Sequence, residues 1–333
     1  MKICIKCVLP ETFPGIRFND EGVCNHCLNF VSQEKLLKQK HEYQIKFELL
    51  FKQQRDVGNY DCLMCYSGGK DSSYTLYILK TKYKARTLAI TVDNGFASER
   101  AVQNIRNVVE SLGIDHYFIK PRFDVLRRIF TSCISDNLYS QKALQRASAI
   151  CTSCMGLVKF ISLRLAIEKW IPFITYGWSP GQAPMASSVF KTNSSMVQSM
   201  QEAIKVPLST IVGNDEIRPY FLEEKHFNAS DRFPYIINPL AFLDYNEDKI
   251  FEDIGKLGWI APDDTDANST NCLMNSFANT VHKAKFHYHP YAFEIANLVR
   301  EGIITRENGL ERLDEEEDVA IVELVKNRLG IAE

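Results

Sequence analysis

Apolar positions along the chain form short unbroken runs that alternate with helical spacing. The clearest run is Tyr60-Asp-Cys-Leu-Met-Cys-Tyr66, followed by Tyr74-Thr-Leu-Tyr-Ile-Leu79 with apolar residues at helical intervals. Between them stands Ser67-Gly-Gly-Lys-Asp-Ser-Ser73, so the local pattern predicts strand, glycine turn, helix. The alternation continues. Residues 85–92 predict a strand ending at Asp93-Asn94-Gly95, and residues 98–112 a helix with Ser98 as N-cap. Residues 116–120 predict a third strand stopped by Pro121, and residues 123–134 a helix. A helix over 156–169 then leads into a fourth strand over 171–177, and the strand into the loop Trp178-Ser-Pro-Gly-Gln-Ala-Pro184. Ahead of all this, residues 32–55 are polar with Leu36, Leu37, Tyr43, Phe47, Leu50 and Phe51 at helical spacing, an amphipathic linker. Residues 206–264 give mixed signals, with a helix near 246–257. The βα alternation predicts an α/β fold with an open, mostly parallel, doubly wound sheet.

The glycine turn carries chemistry. Ser67, Gly68 and Gly69 let the backbone turn sharply and aim successive N–H groups at one point. The following helix adds its positive N-terminal end, and Lys70 a mobile cation. The result is a phosphate site, although the Gly-x4-Gly-Lys-Ser/Thr spacing of the ordinary P-loop is absent. The bland alternative is an ordinary βα turn. Ser67-Gly-Gly-Lys-Asp-Ser72 resembles the PP-loop of the ATP pyrophosphatases, or adenine nucleotide alpha hydrolases. That family splits ATP between its α- and β-phosphates and uses AMP to activate a carbonyl or carboxyl oxygen, which a nitrogen or sulfur nucleophile displaces. The resemblance implies ATP with Mg2+ bound by Ser67, Gly68, Gly69, Lys70, Asp71, Ser72 and Ser73, with Lys70 and Asp71 catalytic. It also places Asp93 and Gly177, at the carboxyl ends of two predicted strands, near the nucleotide. For Asp93 an Asx turn with Gly95 is the competing role.

Composition sharpens the picture in two places. The 333 residues are 45% hydrophobic with a net charge of −2, enough for a real core and without a global basic field for nucleic acid. No apolar run in the pattern approaches the roughly 18 residues that span a bilayer, and the N-terminus lacks a signal-peptide stretch, so a cytoplasmic protein is expected. In that setting ten cysteines argue for metal or reactive sulfur rather than disulfides. Cys4-x2-Cys7 and Cys24-x2-Cys27, sixteen residues apart, have the spacing of a structural four-cysteine Zn2+ site, with His26 a bystander; an iron–sulfur cluster and four free thiols in a flexible leader are the alternatives. The leader from Cys4 to Cys27 also resembles the opening of the N-acetyl sugar amidotransferases, a PP-loop branch. The tail, Phe286-His-Tyr-His-Pro-Tyr-Ala-Phe293 and residues 302–313, resembles that branch more loosely.

A second set is Cys151-Thr-Ser-Cys154, expected just before a helix where the dipole favours thiolate, with Cys272 far along the chain. The pattern looks like the PP-loop thiolases that depend on an iron–sulfur cluster. By that resemblance the three sulfurs hold a 4Fe-4S cluster with one open iron, on which sulfide attacks the adenylated carbon. A redox dithiol, a zinc site completed by water or His226, and unrelated buried thiols are the alternatives. Cys62, Cys65 and Cys133 are expected in the core. The pair His287-x-His289 is expected to pack, and the acidic run Asp314-Glu-Glu-Glu-Asp318 to be solvated beside a helix start. Lys191 and Arg218 are candidate contacts for an anionic substrate.

The expected units are a zinc ribbon over 1–30, a helical linker over 31–58, the ATP core over 59–205, and a mainly helical substrate or oligomerisation region over 206–333. Two enzymatic readings compete. One is an ATP-dependent sulfurtransferase acting on a small heterocycle, with a separate sulfur donor; tRNA is the less favoured acceptor given the near-neutral charge. The other is an amidotransferase supplied with ammonia by a partner glutaminase, since the chain has no glutaminase motif. A non-catalytic nucleotide- or metal-sensing module is the third class. No membrane partner is expected, and any self-association is expected to give a homodimer.

Overall fold

β1 (Cys62–Cys65) is apolar at every position, as a strand covered on both faces must be, and it is the axis of the sheet. In this computed structural model, which describes residues 1–265 and 269–331, β1 pairs in parallel with β2 (Thr87–Val92) on one side and β4 (Phe173–Tyr176) on the other. β3 (Asp115–Ile119) continues outward from β2. On the opposite side β6 (Tyr235–Ile237) adds in parallel to β4, and β5 (Val189–Lys191) closes that edge antiparallel to β6. The order is β3-β2-β1-β4-β6-β5, the expected open, doubly wound sheet. Its strand β6 comes from beyond residue 205. The chain leaves β1 in one direction and returns through β4 on the other side. This opens a crevice at the carboxyl ends of β1 and β4, where such sheets place ligands.

Alternating side chains feed two cores. Leu63, Ile90 and Ile174 face Phe130 and Phe160 on one side of the sheet, while Met64, Ala89 and Phe173 face Phe47, Leu79 and Ile254 on the other. Cys62 and Cys65 fall on opposite sides, bonded to Thr175 (2.8 Å) and Ser162 (3.1 Å), and Cys133 is buried. These three are core thiols, as expected.

The linker forms the helix Gln33–Gln54, capped by Ser32, and buries Leu36, Phe47 and Phe51. Leu37 on the same helix is instead 64% exposed. The cysteine-bearing helix runs Ala149–Lys169, seven residues earlier than expected, because Ser148 caps it through the Cys151 N–H. Cys151 and Cys154 therefore lie inside its first turns rather than before it. This helix also corrects the expectation that nothing in the chain is long and apolar enough to cross a membrane. It is, at 21 residues, but more than half of its apolar window is buried inside the protein.

The N-terminal ribbon is not a loose appendage. Val8, Leu9 and Phe13 pack with Tyr288, Ala292, Ile295 and Ala296, and Phe13 stacks on Phe293 at 5.6 Å. The C-terminal region is helical, as expected: Met274–Phe286, Ala292–Arg300, Arg306–Asp314 and Val319–Leu329. Arg306 donates to the carbonyls of Cys4 and Cys7, tying the third of these helices to the first knuckle. The two polar motifs of the tail behave differently. His289 is buried against Tyr291 as expected, whereas His287, which ends a helix in the left-handed conformation, is exposed. The acidic run is not wholly solvated: Asp318 caps the last helix, and Glu317, 9% exposed, pairs with Lys283 at 2.6 Å.

Phe47 joins the linker helix to the sheet, with its ring centroid 6.3 Å from that of Phe173 on β4, and packs on Tyr83 (4.9 Å) and Phe242 (5.8 Å). Phe47→Ala should cost about 3–5 kcal/mol of stability, read from urea denaturation.

Candidate active site

The crevice is lined first by the Ser67–Gly69 turn and the helix Lys70–Thr81. Two glycines are required by geometry. Gly68 has φ +79° and would place a Cβ 2.6 Å from the Ala101 carbonyl. At Gly177, where β4 ends, a Cβ would fall 2.4 Å from Ser72 Cα, so the β4 end and the start of this helix pack backbone to backbone. The turn is braced by side chains. Ser72 Oγ donates to the Gly69 carbonyl (3.0 Å) and lies 3.2 Å from Ser67 Oγ. Trp259 Nε1 donates to the Gly68 carbonyl (2.8 Å), and Ser73 Oγ is 3.1 Å from the Tyr66 hydroxyl.

Lys70 is not the mobile cation expected. Its amine is paired with Glu247, donates to Tyr245 OH (2.8 Å), and lies over the rings of Tyr245 and Phe251. Tyr245 donates in turn to Asp71 Oδ1 (2.8 Å), and Arg312 holds the other oxygen of Glu247 (2.7 Å). Burial pushes the Asp71 carboxyl above its ordinary range, against the pull of Lys70 and Tyr245. Glu247 goes the other way: burial opposes its charge, but the Arg312 hydrogen bond and the Lys70 charge hold it below the ordinary range. The backbone N–H of Lys70, at the helix start, donates to Thr270 Oγ1 (3.0 Å).

Glu294 also belongs here, on the helix that packs against the ribbon. Ser179 Oγ donates to it at 2.6 Å, while Gly181 lies so close that a Cβ would meet the Glu294 carbonyl at 2.4 Å. Desolvation pushes the Glu294 carboxyl up to about 7; bonds from Ser179 and Gln182 resist the rise, and the Asp71 charge adds to it. The Trp178–Pro184 loop thus lines the crevice.

The other predicted residues are distributed as follows. Asp93 makes the Asx turn, accepting from the Gly95 N–H (2.8 Å), and pairs with Lys120 (3.3 Å). Lys191 lies over the Tyr235 ring on the outer edge strand, and Arg218 pairs with Glu223. His226 is committed at both nitrogens, to the Glu223 backbone and to Glu168 (2.9 Å), which removes it as a ligand beside Cys151.

Cys151, Cys154 and Cys272 are brought together across 121 residues of chain. The Asn94 amide donates to Cys154 Sγ and Cys272 Sγ, both at 3.5 Å, and the Cys272 charge acts on Cys151 and Cys154 alike. The low-pKa thiols expected at the helix start are absent. Desolvation outweighs the dipole and pushes Cys151 and Cys154 up to about 12. Cys272 is tied to the glycine turn by two preceding residues: Thr270 bonds Lys70, and Asn271 Oδ1 would stand 3.3 Å from a Cβ on Gly69.

The N-terminal four cysteines meet a different standard. Their ligand atoms all lie within 4.8 Å of one another, and among the described residues this is the group of three or more such side chains gathered tightly enough for one ion. Cys4 and Cys27 are 3.9 Å apart, Cys7 and Cys24 3.7 Å. A tetrahedron with metal–sulfur bonds of about 2.3 Å has edges of about 3.8 Å. The four therefore fit a single tetrahedral ion. Among the described residues, Cys151, Cys154 and Cys272 are not gathered this tightly, which argues against one shared ion.

Sequence reasoning missed Asn94, Tyr245, Glu247, Trp259, Thr270 and Glu294. Only Glu294 carried a local signal, as the single carboxylate in the apolar helix Ala292–Arg300.

No family model matches the chain. An uncharacterized protein of Methanocaldococcus jannaschii is 25% identical over 313 residues, 93% of this chain and 92% of that one. Among solved structures, the U34-tRNA thiolase NcsA from Methanococcus maripaludis with its 4Fe-4S cluster is 20% identical, covering 100% of this chain and 99% of that one, with a TM-score of 0.37. The NMN synthetase from Francisella tularensis is 12% identical over 91% of this chain and 98% of that one, with a TM-score of 0.39. At these TM-scores neither likeness carries an argument about chemistry.

The raised Glu294 pKa has a fixed sign. The folded protein holds this proton more tightly than the unfolded chain, so the stabilising contribution is complete below the ordinary 4.5 and is lost as pH rises through about 7. Glu294→Gln, which stays neutral, should gain urea stability relative to the parent protein as pH rises from 4.5 to 7.5. A difference independent of pH would contradict the assignment.

Proposed function

We propose that this protein is a PP-loop enzyme that activates a substrate carbonyl oxygen with ATP and replaces it with sulfur. One observation carries the reading. The segment Thr270–Cys272 touches the phosphate-binding turn at one end and the three-cysteine set at the other. Activation and delivery of the incoming atom are thus adjacent.

The chemistry follows from the residues. The turn, with the helix N-terminus behind it, takes the pyrophosphate end of ATP, and a phosphate oxygen replaces the Thr270 hydroxyl on the Lys70 N–H. Lys70, released from Glu247, meets the charge that gathers on pyrophosphate as it leaves. The substrate oxygen bonds to the α-phosphorus, the α–β bridge breaks, and the substrate N–H proton passes to a base. Glu294 is that base in this reading, poised near neutrality beside Asp71. Hydrosulfide then adds to the activated carbon, AMP departs with the oxygen, and a thiocarbonyl remains. No change of oxidation state occurs.

Cys151, Cys154 and Cys272 fit a three-ligand iron–sulfur group. Such a group, when bound, keeps an open iron for the sulfur being delivered. Cys4, Cys7, Cys24 and Cys27 fit a closed structural site, and zinc is the ion proposed there. The near-neutral charge points to a small heterocyclic amide as acceptor.

Anaerobic reconstitution with iron and sulfide should give a brown protein whose visible absorption is lost in Cys272→Ala. With ATP, a cyclic amide and hydrosulfide, product should be heavier by the oxygen-to-sulfur exchange, and Lys70→Ala should release pyrophosphate on the order of 10²-fold more slowly. Protein that stays colourless and instead forms an amidine from an acetamido sugar and ammonia would overturn sulfur transfer in favour of amidotransfer. Independently, elemental analysis should find one zinc per chain, kept in Cys272→Ala and lost in Cys24→Ser.

A further inference from the structure

We infer that Asn94 is the positioning residue of the three-cysteine set: its single side-chain amide holds Cys154 and Cys272 in place and tunes the electron affinity of the cluster they bind. The inference rests on the reading that these cysteines carry a cluster.

The orientation of the amide is determined by its surroundings. Asn94 Oδ1 accepts from the Phe96 N–H at 2.9 Å, so the NH2 end must face the sulfurs. That end has two hydrogens and two acceptors, Cys154 Sγ and Cys272 Sγ, each 3.5 Å away. No hydrogen-bonding capacity of the NH2 group is left over.

The support behind Asn94 is stiff. It lies two residues past β2, in the turn closed by Asp93 Oδ1 and the Gly95 N–H. Gly95 has φ +86°, and a Cβ there would strike the Phe123 ring at 2.6 Å, so the turn accepts only glycine at that point. The next residues zip onto the segment carrying the third cysteine. Leu273 N–H donates to the Phe96 carbonyl (2.9 Å), Ser98 N–H to the Asn271 carbonyl (3.1 Å), and Ala97 bridges Cys272. Cys154 arrives on the separate helix Ala149–Lys169. Asn94 is therefore the shared partner of two ligands brought from distant parts of the chain.

Hydrogen bonds to ligand sulfur withdraw electron density from iron and raise its reduction potential. Asn94→Ala and Asn94→Ser, loaded anaerobically beside the parent protein, are titrated with dithionite while the cluster's visible and paramagnetic-resonance signals are followed. Both variants should bind iron and have lower midpoints. The expected change is about tenfold less reduced cluster at a fixed potential, or about 59 mV for one electron. Asn94→Asp, which sets a carboxylate against two thiolates, should load several-fold less iron. Parent protein that takes up no cluster overturns the cluster reading and this inference with it. If parent, Asn94→Ala and Asn94→Ser load and titrate alike, the role of Asn94 alone falls and the cluster stands.

Discussion

Everything in the crevice depends on the contact between Gly177 and Ser72, where the end of β4 meets the first turn of the helix behind the glycine loop without an intervening side chain. A hydrogen bond would tolerate some drift. A backbone-to-backbone contact at van der Waals distance does not, because any Cβ at residue 177 would occupy the space of Ser72. It fixes the separation of β1 and β4 at their carboxyl ends. The loop after β4 then reaches Glu294 through Ser179, and the helix start reaches Thr270.

Around that contact, desolvation and charge pairing divide the titratable groups. Lys70, Glu247, Arg312, Tyr245 and Asp71 form one chain of ion pairs and hydrogen bonds, in which Glu247 stays ionised because two cations face it. Glu294 is bonded by the neutral Ser179 and Gln182, and the Asp71 charge opposes that of Lys70, so burial prevails and its proton is held to higher pH. The same rule governs the cysteines at the start of the Ala149–Lys169 helix. The dipole of a helix end is worth about 0.3–1 kcal/mol in exposed settings, too little to offset burial of a thiolate without a cation. A bound metal would supply the missing positive charge.

The ribbon shapes the site indirectly. Phe13 stacks on Phe293, the residue before Glu294, and Val8 and Leu9 share a core with Ile295 and Ala296 on the same helix. A segment of about 30 residues has too small a core to hold such a face alone. An ion held by the four cysteines, which stand at tetrahedral spacing, would give it the rigidity to position the helix that carries Glu294.

Local rules made much of this legible in the sequence. The apolar run at β1, the Ser67–Ser73 turn, the Ser98 cap and the two Cys-x2-Cys knuckles are all decided within a few residues, by periodicity, capping and glycine chemistry, and the structure has each where the pattern placed it. The helix start at Ala149 departed from the pattern, which placed Cys151–Cys154 before the helix, because Ser148 caps the helix through the Cys151 N–H. What tertiary structure alone decided is the company each residue keeps. Whether Lys70 is free or paired, whether Asp93 faces a ligand or its own turn, and whether Cys272 joins Cys154 depend on segments more than a hundred residues away, or on a turn geometry that several side chains could satisfy. Sequence spacing carries no record of such pairings. They follow from the strand order, which brings the β1, β2 and β4 loops to one edge of the sheet and so turns the Ser67–Ser73 glycine turn and three scattered cysteines into neighbours.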